Sequence, residues 1–591
     1  MRTDKNANQG DFMPNNYTRR VYIRIACAGI ALLPLLFLIS KLIQYSVDLP
    51  SPDGWMMLKY IEKYHLGTLT FKDFFEQHNE HRLMIPKLIL LAIDIPTHWN
   101  VYYEIAANVI IGTLIYLYMV FRSIKTYIEN GLKYNYWLMV VLSFFCFSIM
   151  QFENYSTGFQ IQVFLNVLFT VVGLNFLVQK KLGYVHLAAS AVFGFLALYS
   201  FANGLYYWLV GFIPVVYRVA TKEIQLKFLY SWIGASLFFI LTYFYHFSNQ
   251  AAIISNFLHE PLKVMIYFLR NMGASIIFVE AAPIYSVITG AIGVTLFIFI
   301  SYYAAQNKVI QVLPWVTISS YGLISELSTG AGRLEYFASR YTTISNLFWI
   351  GLAVIIFYLL DEHYKDKKMK INHKIIIAVS LSTFFSMFMI NSDTFVQLFM
   401  KDQEKYAWIR YELLAVANKE IEKTTYNSPY LQINLVPTMQ KYKVSVFRDN
   451  YEEMAFSRYS NRIPSSSEKT APFQPSIVNG SLTFLFHPAA SIEFSTKPTD
   501  RSAAVQVALK PDAIGPDKSD GVRLFWEGLA GSEWKVIGEF ELNPKNLNEN
   551  SFKSFQADIV EDFEKIRLRV DSGENNNSAY DWAVIKQIHI D

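Results

Sequence analysis

Cysteine is nearly absent: 591 residues contain two, Cys27 and Cys146, and both fall inside apolar runs. No zinc-type cysteine cluster, Walker loop or dinucleotide-binding glycine pattern occurs, which disfavours an ATP-driven pump. The polar C-terminal third has no cysteine, so it is expected to fold without disulfides even in an oxidising compartment. Charge is scarce as well. Asp, Glu, Lys and Arg make up 17% of the chain, too few for a soluble protein of this length.

What fills the chain instead is apolar: 53% hydrophobic and 16% aromatic residues, with a mean hydropathy of +0.23. The apolar runs are long enough to cross a hydrocarbon core, which takes roughly 20 helical residues. They predict spans at about 21–46, 101–121, 136–150, 159–179, 183–199, 205–218, 228–247, 283–304, 309–325, 344–360 and 375–391. The first is read as a retained span, because no small-x-small cleavage site follows it. Basic residues collect in every second loop: Arg19 and Arg20, Arg122, Lys125 and Lys133, Lys180 and Lys181, Arg218, Lys222 and Lys227, Lys308, then "DEHYKDKKMKINHK". The positive-inside rule then places residues 1–20 in the cytoplasm and the C-terminal part outside.

The polar clusters occupy the other loops. These are "EQHNEHR" (76–82), "QFENYSTGFQIQ" (151–162), "SFANG" (200–204) and "GAGRLEYFASRYTT" (330–343). Chemistry is therefore expected on the outer side, where ATP and nucleotide sugars are absent. Polar groups at membrane depth are costly unless they face protein or a water-filled cavity, and there they tend to mark function. Asp53, in "PDGW" just after the first span, is either a general base or the cap of a helix starting at Gly54. Arg333 and Arg340 are seven residues apart, which would align them on one helix face as a phosphate clamp. The structural alternative pairs Arg333 with Glu335 or Glu326 and leaves Arg340 at the headgroups. Tyr341 would add a hydroxyl donor. His78 and His81 suit a hydrogen-bonding network around a sugar better than a metal, for want of a third ligand. Glu80 and Arg82 are expected to neutralise each other, while Glu153, Gln160 and Asn203 supply further hydrogen-bonding groups.

After residue 391 the composition turns polar. Residues 404–423 read as a helix, on the membrane surface or capping the outer domain, within a connector covering 392–437. The region 438–591 shows period-two runs, "YKVSVF", "SLTFLF", "SIEFST", "AVQVAL", "VRLFW", "WKVIGEFEL", "KIRLRV" and "WAVIKQIHI", separated by turn residues. This predicts a β-sandwich or jelly roll. Its end, "KIRLRVDSGENNNSAYDWAVIKQIHID", looks like the closing strands of a galactose-binding-like sandwich. Trp526 and Trp534 are either core residues or sugar-stacking platforms.

With Asp53 in a first outer loop (47–100) that also carries two short helical patterns, the layout resembles the GT-C class of membrane glycosyltransferases. "QHNEHR", "FENYSTGFQIQ", "SFANGLYYW" and "SRYTT" are similar to loop motifs of bacterial O-antigen-modifying glucosyltransferases. The resemblance covers about residues 20–391. It implies a mostly α, polytopic bundle of about eleven transmembrane helices in a bacterial inner membrane with a periplasmic β domain. It further implies Asp53 as catalytic base, a polyprenyl-phosphate-linked sugar as donor, a cell-surface polysaccharide as acceptor, and no nucleic acid. The acidic pair of many class members is Asp-Gly here, so any divalent metal or second carboxylate would need Glu76 or Glu80; no cofactor is otherwise expected. A lipid-linked oligosaccharide polymerase or ligase, or a flippase, are the competing readings.

Overall fold

The computed structural model describes residues 16–179, 181–248, 253–334, 337–365, 371–417, 436–448, 460, 462, 465–468, 475–478, 481–514, 518–544, 551–572 and 581–591. Lys180, Lys367, Lys368, Lys370, Glu335 and residues 418–435 of the expected connector lie outside these.

Most of the first 417 residues are helical. Seven described helices are long and apolar enough to cross a membrane: Val21–Tyr45, Val101–Ile128, Trp137–Ser156, Gly158–Leu177, Leu226–Phe244, Ile284–Gln306 and Ser339–His363. The expected spans at 183–199 and 205–218 correspond to shorter apolar helices, Tyr184–Leu198 and Gly204–Ala220. The expected spans at 309–325 and 375–391 fall in the helices Leu313–Gly332 and Ile371–Ala417. The second of these runs unbroken through residue 391 and takes in most of the helix expected from 404. Aromatic stacking locks neighbouring helices together, as where Trp208 lies 5.1 Å from Trp232 and 5.0 Å from Phe239.

Loop-to-loop bonds sort the helix ends into two groups. At one end lie the basic loops: Tyr127 donates to Asp361 at 2.9 Å, Trp315 to Thr126 at 3.1 Å, and Arg218 to the Leu177 carbonyl at 3.0 Å. At the other end the four polar clusters meet. The Ala202 amide donates to His81 at 3.2 Å, Asn154 donates to the Arg340 carbonyl at 2.8 Å, and Arg333 pairs with Glu80. Two glycines permit these close approaches. A Cβ on Gly204 would overlap the Leu198 backbone, and one on Gly158 would overlap the Glu104 carboxylate. Gly158→Ala should therefore destabilise the protein by about 1–3 kcal/mol, the usual cost of overpacking. A melting curve on the purified variant checks it.

The C-terminal region forms two five-stranded sheets whose named strands pair antiparallel. One has the order Lys553–Asp558, Ser502–Leu509, Ala583–Ile590, Ser481–Phe486, Pro475–Val478; the other Ser466–Glu468, Ala490–Ser495, Lys565–Ser572, Val522–Ala530, Glu533–Leu542. Alternate residues of both sheets, among them Val505, Val507, Ile566 and Leu568, share one core. Trp526 belongs to that core, whereas Trp534 is partly exposed and carries the Arg567 guanidinium 4.2 Å above its ring. One expected strand is corrected. "YKVSVF" is the end of the helix Val436–Tyr442 and a 3₁₀ turn, Ser445–Phe447, with Lys443 and Ser445 in the left-handed region (φ 50° and 56°). Met439, Val444, Val446 and Phe447 are buried in the helical core, not between the sheets. This segment closes onto the first loop: His65 stacks on Tyr442 at 4.8 Å, Ser445 donates to the His98 carbonyl at 2.8 Å, and Arg448 pairs with Asp48.

Candidate functional site

The loop after the first apolar helix is built from short pieces. Its opening turn, Asp53–Met56, is 3₁₀; the Gly54 amide bonds to the Ser51 hydroxyl at 3.2 Å, and Trp55 packs edge-on against Trp99 at 5.9 Å. Ser51 thus takes the capping role, which leaves the exposed Asp53 side chain with no hydrogen-bond partner among the described residues. The helix Met57–His65 follows. Thr70 and Asp73 form a capping box at the turn Phe71–Phe74, and Lys63 pairs with Asp73.

The cluster 76–82 is a two-stranded hairpin, Gln77–His78 against His81–Arg82, turned by Asn79 at φ 50°, a left-handed conformation that Asn tolerates. Its residues divide between scaffold and site. Arg82 is buried and donates to the carbonyls of Phe75, Tyr243 (2.8 Å), Tyr245 (2.6 Å) and His246 (3.2 Å), fastening the hairpin to the end of the helix Leu226–Phe244. The expected Glu80–Arg82 pair is therefore not formed: Arg82 satisfies carbonyls, and Glu80 pairs with Arg333 instead. Glu76 also belongs to the scaffold, bonded to Lys59 at 2.7 Å and Tyr60 at 3.1 Å. Beneath it the buried Lys87 donates to the Glu76 carbonyl at 2.9 Å; burial lowers its ammonium to about 8.

His78, Glu80 and His81 face a cavity of about 570 Å³, within the range of small-molecule sites. The same cavity is lined by Asp53, Gln160, Asn203, Arg333, Arg340 and Tyr341. Of the twelve residues singled out from sequence, nine therefore share one space, and Glu76, Arg82 and Glu153 stand behind it. Arg333 and Arg340 reach it differently from expectation. The helix Leu313–Gly332 stops before Arg333, and Arg340 lies in the 3₁₀ turn Ser339–Tyr341, so the pair sits in a loop and not on one helix face. Glu153 pairs with Arg340 at 3.3 Å. Around them the two motifs interlock: Asn154 donates to Thr343 at 2.6 Å and Thr343 to Gln151 at 2.7 Å. From the long helix, Asp402 feels Glu153 and Arg340; burial first and Glu153 second raise its carboxyl to about 6.

His81 has a fixed tautomer. Nδ1 accepts the Ala202 amide at 3.2 Å while the ring stacks on Phe201 at 4.4 Å, so in the neutral ring the proton sits on Nε2, 3.7 Å from Glu80. Burial holds this imidazole down at about 4, and burial also lowers His78, against the pull of the nearby Asp53. The lowered His81 has a consequence for stability. Between its ordinary value near 6.5 and about 4 the unfolded chain binds the extra proton, so its contribution is full above this window and is lost as pH falls through it. His81→Gln should melt with a smaller decline than wild type on acidification from pH 6.5 to 4, measured by thermal denaturation across that range. As a metal pair the histidines do not fit, since Nδ1 of His81 is occupied and the described residues offer no ligand set of three or more His, Cys, Asp or Glu.

Sequence reasoning missed Glu326 and Gln162 as lining residues, both buried. The signal was present in each case: Glu326 is an acid inside the run "YGLISELSTG", and Gln162 closes a motif already marked.

No family model matches the chain, and no curated protein matches it. Among solved structures, CsCBM6-3 from Clostridium stercorarium in complex with cellobiose matches at 11% identity and TM-score 0.16, over 22% of this chain and 95% of that one. The tandem CBM51 modules of Sp3GH98, a family 98 glycoside hydrolase from Streptococcus pneumoniae, match at 18% identity and TM-score 0.16, over 21% of this chain and 40% of that one.

Proposed function

We propose that this chain is a membrane glycosyltransferase that moves a sugar from a polyprenyl phosphate to a cell-surface glycan such as O-antigen, on the periplasmic side of a bacterial inner membrane. About eleven spans, an inside N-terminus and an outer β-sandwich complete the reading. One observation carries it: the unbonded Asp53 carboxylate and the guanidinium groups of Arg333 and Arg340 line a single cavity. In the proposed reaction Asp53 takes the proton of an acceptor hydroxyl as its oxygen bonds to the sugar C1. The bond between C1 and the phosphate oxygen breaks, and the polyprenyl phosphate leaves with that electron pair. Arg333 and Arg340 hold the phosphate as charge collects on it. Each arginine rests on a carboxylate, Arg333 on Glu80 and Arg340 on Glu153. These ion pairs are partly exposed and hence weak, so a phosphate can displace them. No step is assigned to a metal.

The test is reconstitution in nanodiscs with undecaprenyl-phosphate-linked glucose and an oligosaccharide acceptor, with mass spectrometry for one added hexose. A ligase would instead join whole lipid-linked oligosaccharides. A flippase would move the lipid across vesicles without forming a glycosidic bond, and that result refutes the proposal.

A further inference from the structure

We infer that the inner wall of the cavity is a hydroxyl-binding subsite for one uncharged sugar ring, built around Glu326 and Gln162. This deepens the transferase reading and rests on it for the role of the bound ring. Glu326 is fully buried and Gln162 is 4% exposed, yet both line the cavity. Beyond the neighbouring Asn271 amide, the Glu326 carboxyl oxygens have no partner among the described residues. Gln162 Oε1 and Asn203 Nδ2 are likewise without one, although Gln162 donates through Nε2 to Gln160 at 3.4 Å. Buried polar atoms are almost always satisfied, so three such residues facing one cavity point to a ligand that completes them.

The chemistry of the unmet atoms selects the ligand. Gln162 Oε1 only accepts and Asn203 Nδ2 only donates, so the occupant must both donate and accept over a short distance. A phosphate, ionised, donates nothing. Ring hydroxyls do both. A carboxylate on the ring would have to be buried in this wall with no cation left to face it, since Arg333 and Arg340 are matched to Glu80 and Glu153, so the subsite selects a neutral hexose over a uronic acid. The arginines are already matched to Glu80 and Glu153, which leaves phosphate recognition to them and ring recognition to this wall.

Saturation-transfer difference NMR on the full chain in detergent, with methyl glucoside and glucuronate as probes, tests this. Wild type should pass magnetisation to the glucoside ring protons and not to glucuronate. Glu326→Leu and Gln162→Leu should each weaken glucoside binding about tenfold or more. Glu326→Gln, with the same shape and still both a donor and an acceptor, should keep the glucoside and still refuse glucuronate. No signal with wild type, a glucuronate signal as strong as that of the glucoside, or unchanged glucoside binding in both leucine variants at unaltered melting temperature, overturns the subsite. Asp53→Asn should leave this binding intact, which separates the two claims. If the binding pattern holds in a protein that transfers nothing, only the transferase reading fails; if transfer proceeds without the pattern, only the subsite fails.

Discussion

Asp53→Asn is expected to lower sugar transfer by about 10²–10⁴-fold, the range by which a positioned general base contributes. The substitution keeps the shape of the side chain and removes its ability to take a proton. Asp53 is exposed, its turn is capped by Ser51, and its own oxygens bond to nothing among the described residues. Its stability should therefore change by no more than the small range of ordinary surface substitutions, about 0.5 kcal/mol, read as a nearly unshifted melting curve. A collapse of activity at constant stability separates a base from a structural residue. Transfer at the wild-type rate in Asp53→Asn removes the residue from the chemistry.

The second large effect is expected at the arginines. Arg340→Ala should reduce kcat/KM by about 10²–10³-fold, as for loss of one donor to a developing anion. Donor use should suffer while the acceptor KM changes little. Arg340 differs from Arg333 in its surroundings, for its backbone is clasped by Asn154 and its side chain faces Glu153. Removing either arginine strips a carboxylate of its cation, Glu153 or Glu80, so Arg333→Ala should fall in the same range. Lysine at either position should recover only part of the rate, since an ammonium gives a point charge without the paired donors. Steady-state kinetics with donor and acceptor varied separately decides this.

The sequence made the convergence of these loops legible, because polar clusters inside an apolar chain have few places to go. It was less informative on how they converge. The spacing of seven from Arg333 to Arg340 reads as two helical turns, but the helix ends at Gly332 and both arginines enter from a loop. Glu80 and Arg82 look like neighbours in sequence. In the hairpin Glu80 lies in the turn while Arg82 is drawn under it by carbonyls of a helix end more than 160 residues away, a partnership with no local signature. In the C-terminal region alternation located Ser502–Leu509 and Lys565–Ser572 well, since each largely buries one face, and Val522–Ala530 was also found although it is buried on both faces from Leu524 to Gly528. It overreached at "YKVSVF", where the apolar residues bury against helices and the period is accidental. The short strands Ser466–Glu468 and Pro475–Val478 carry too few residues to show a period.

The most direct test is a cryo-EM map of the full chain in nanodiscs containing undecaprenyl phosphate. The account predicts phosphate density inside the cavity, within hydrogen-bonding distance of Arg333 and Arg340 and facing Asp53. Well-defined phosphate density elsewhere on the protein, with the cavity still closed by the Glu80–Arg333 and Glu153–Arg340 pairs, would contradict it.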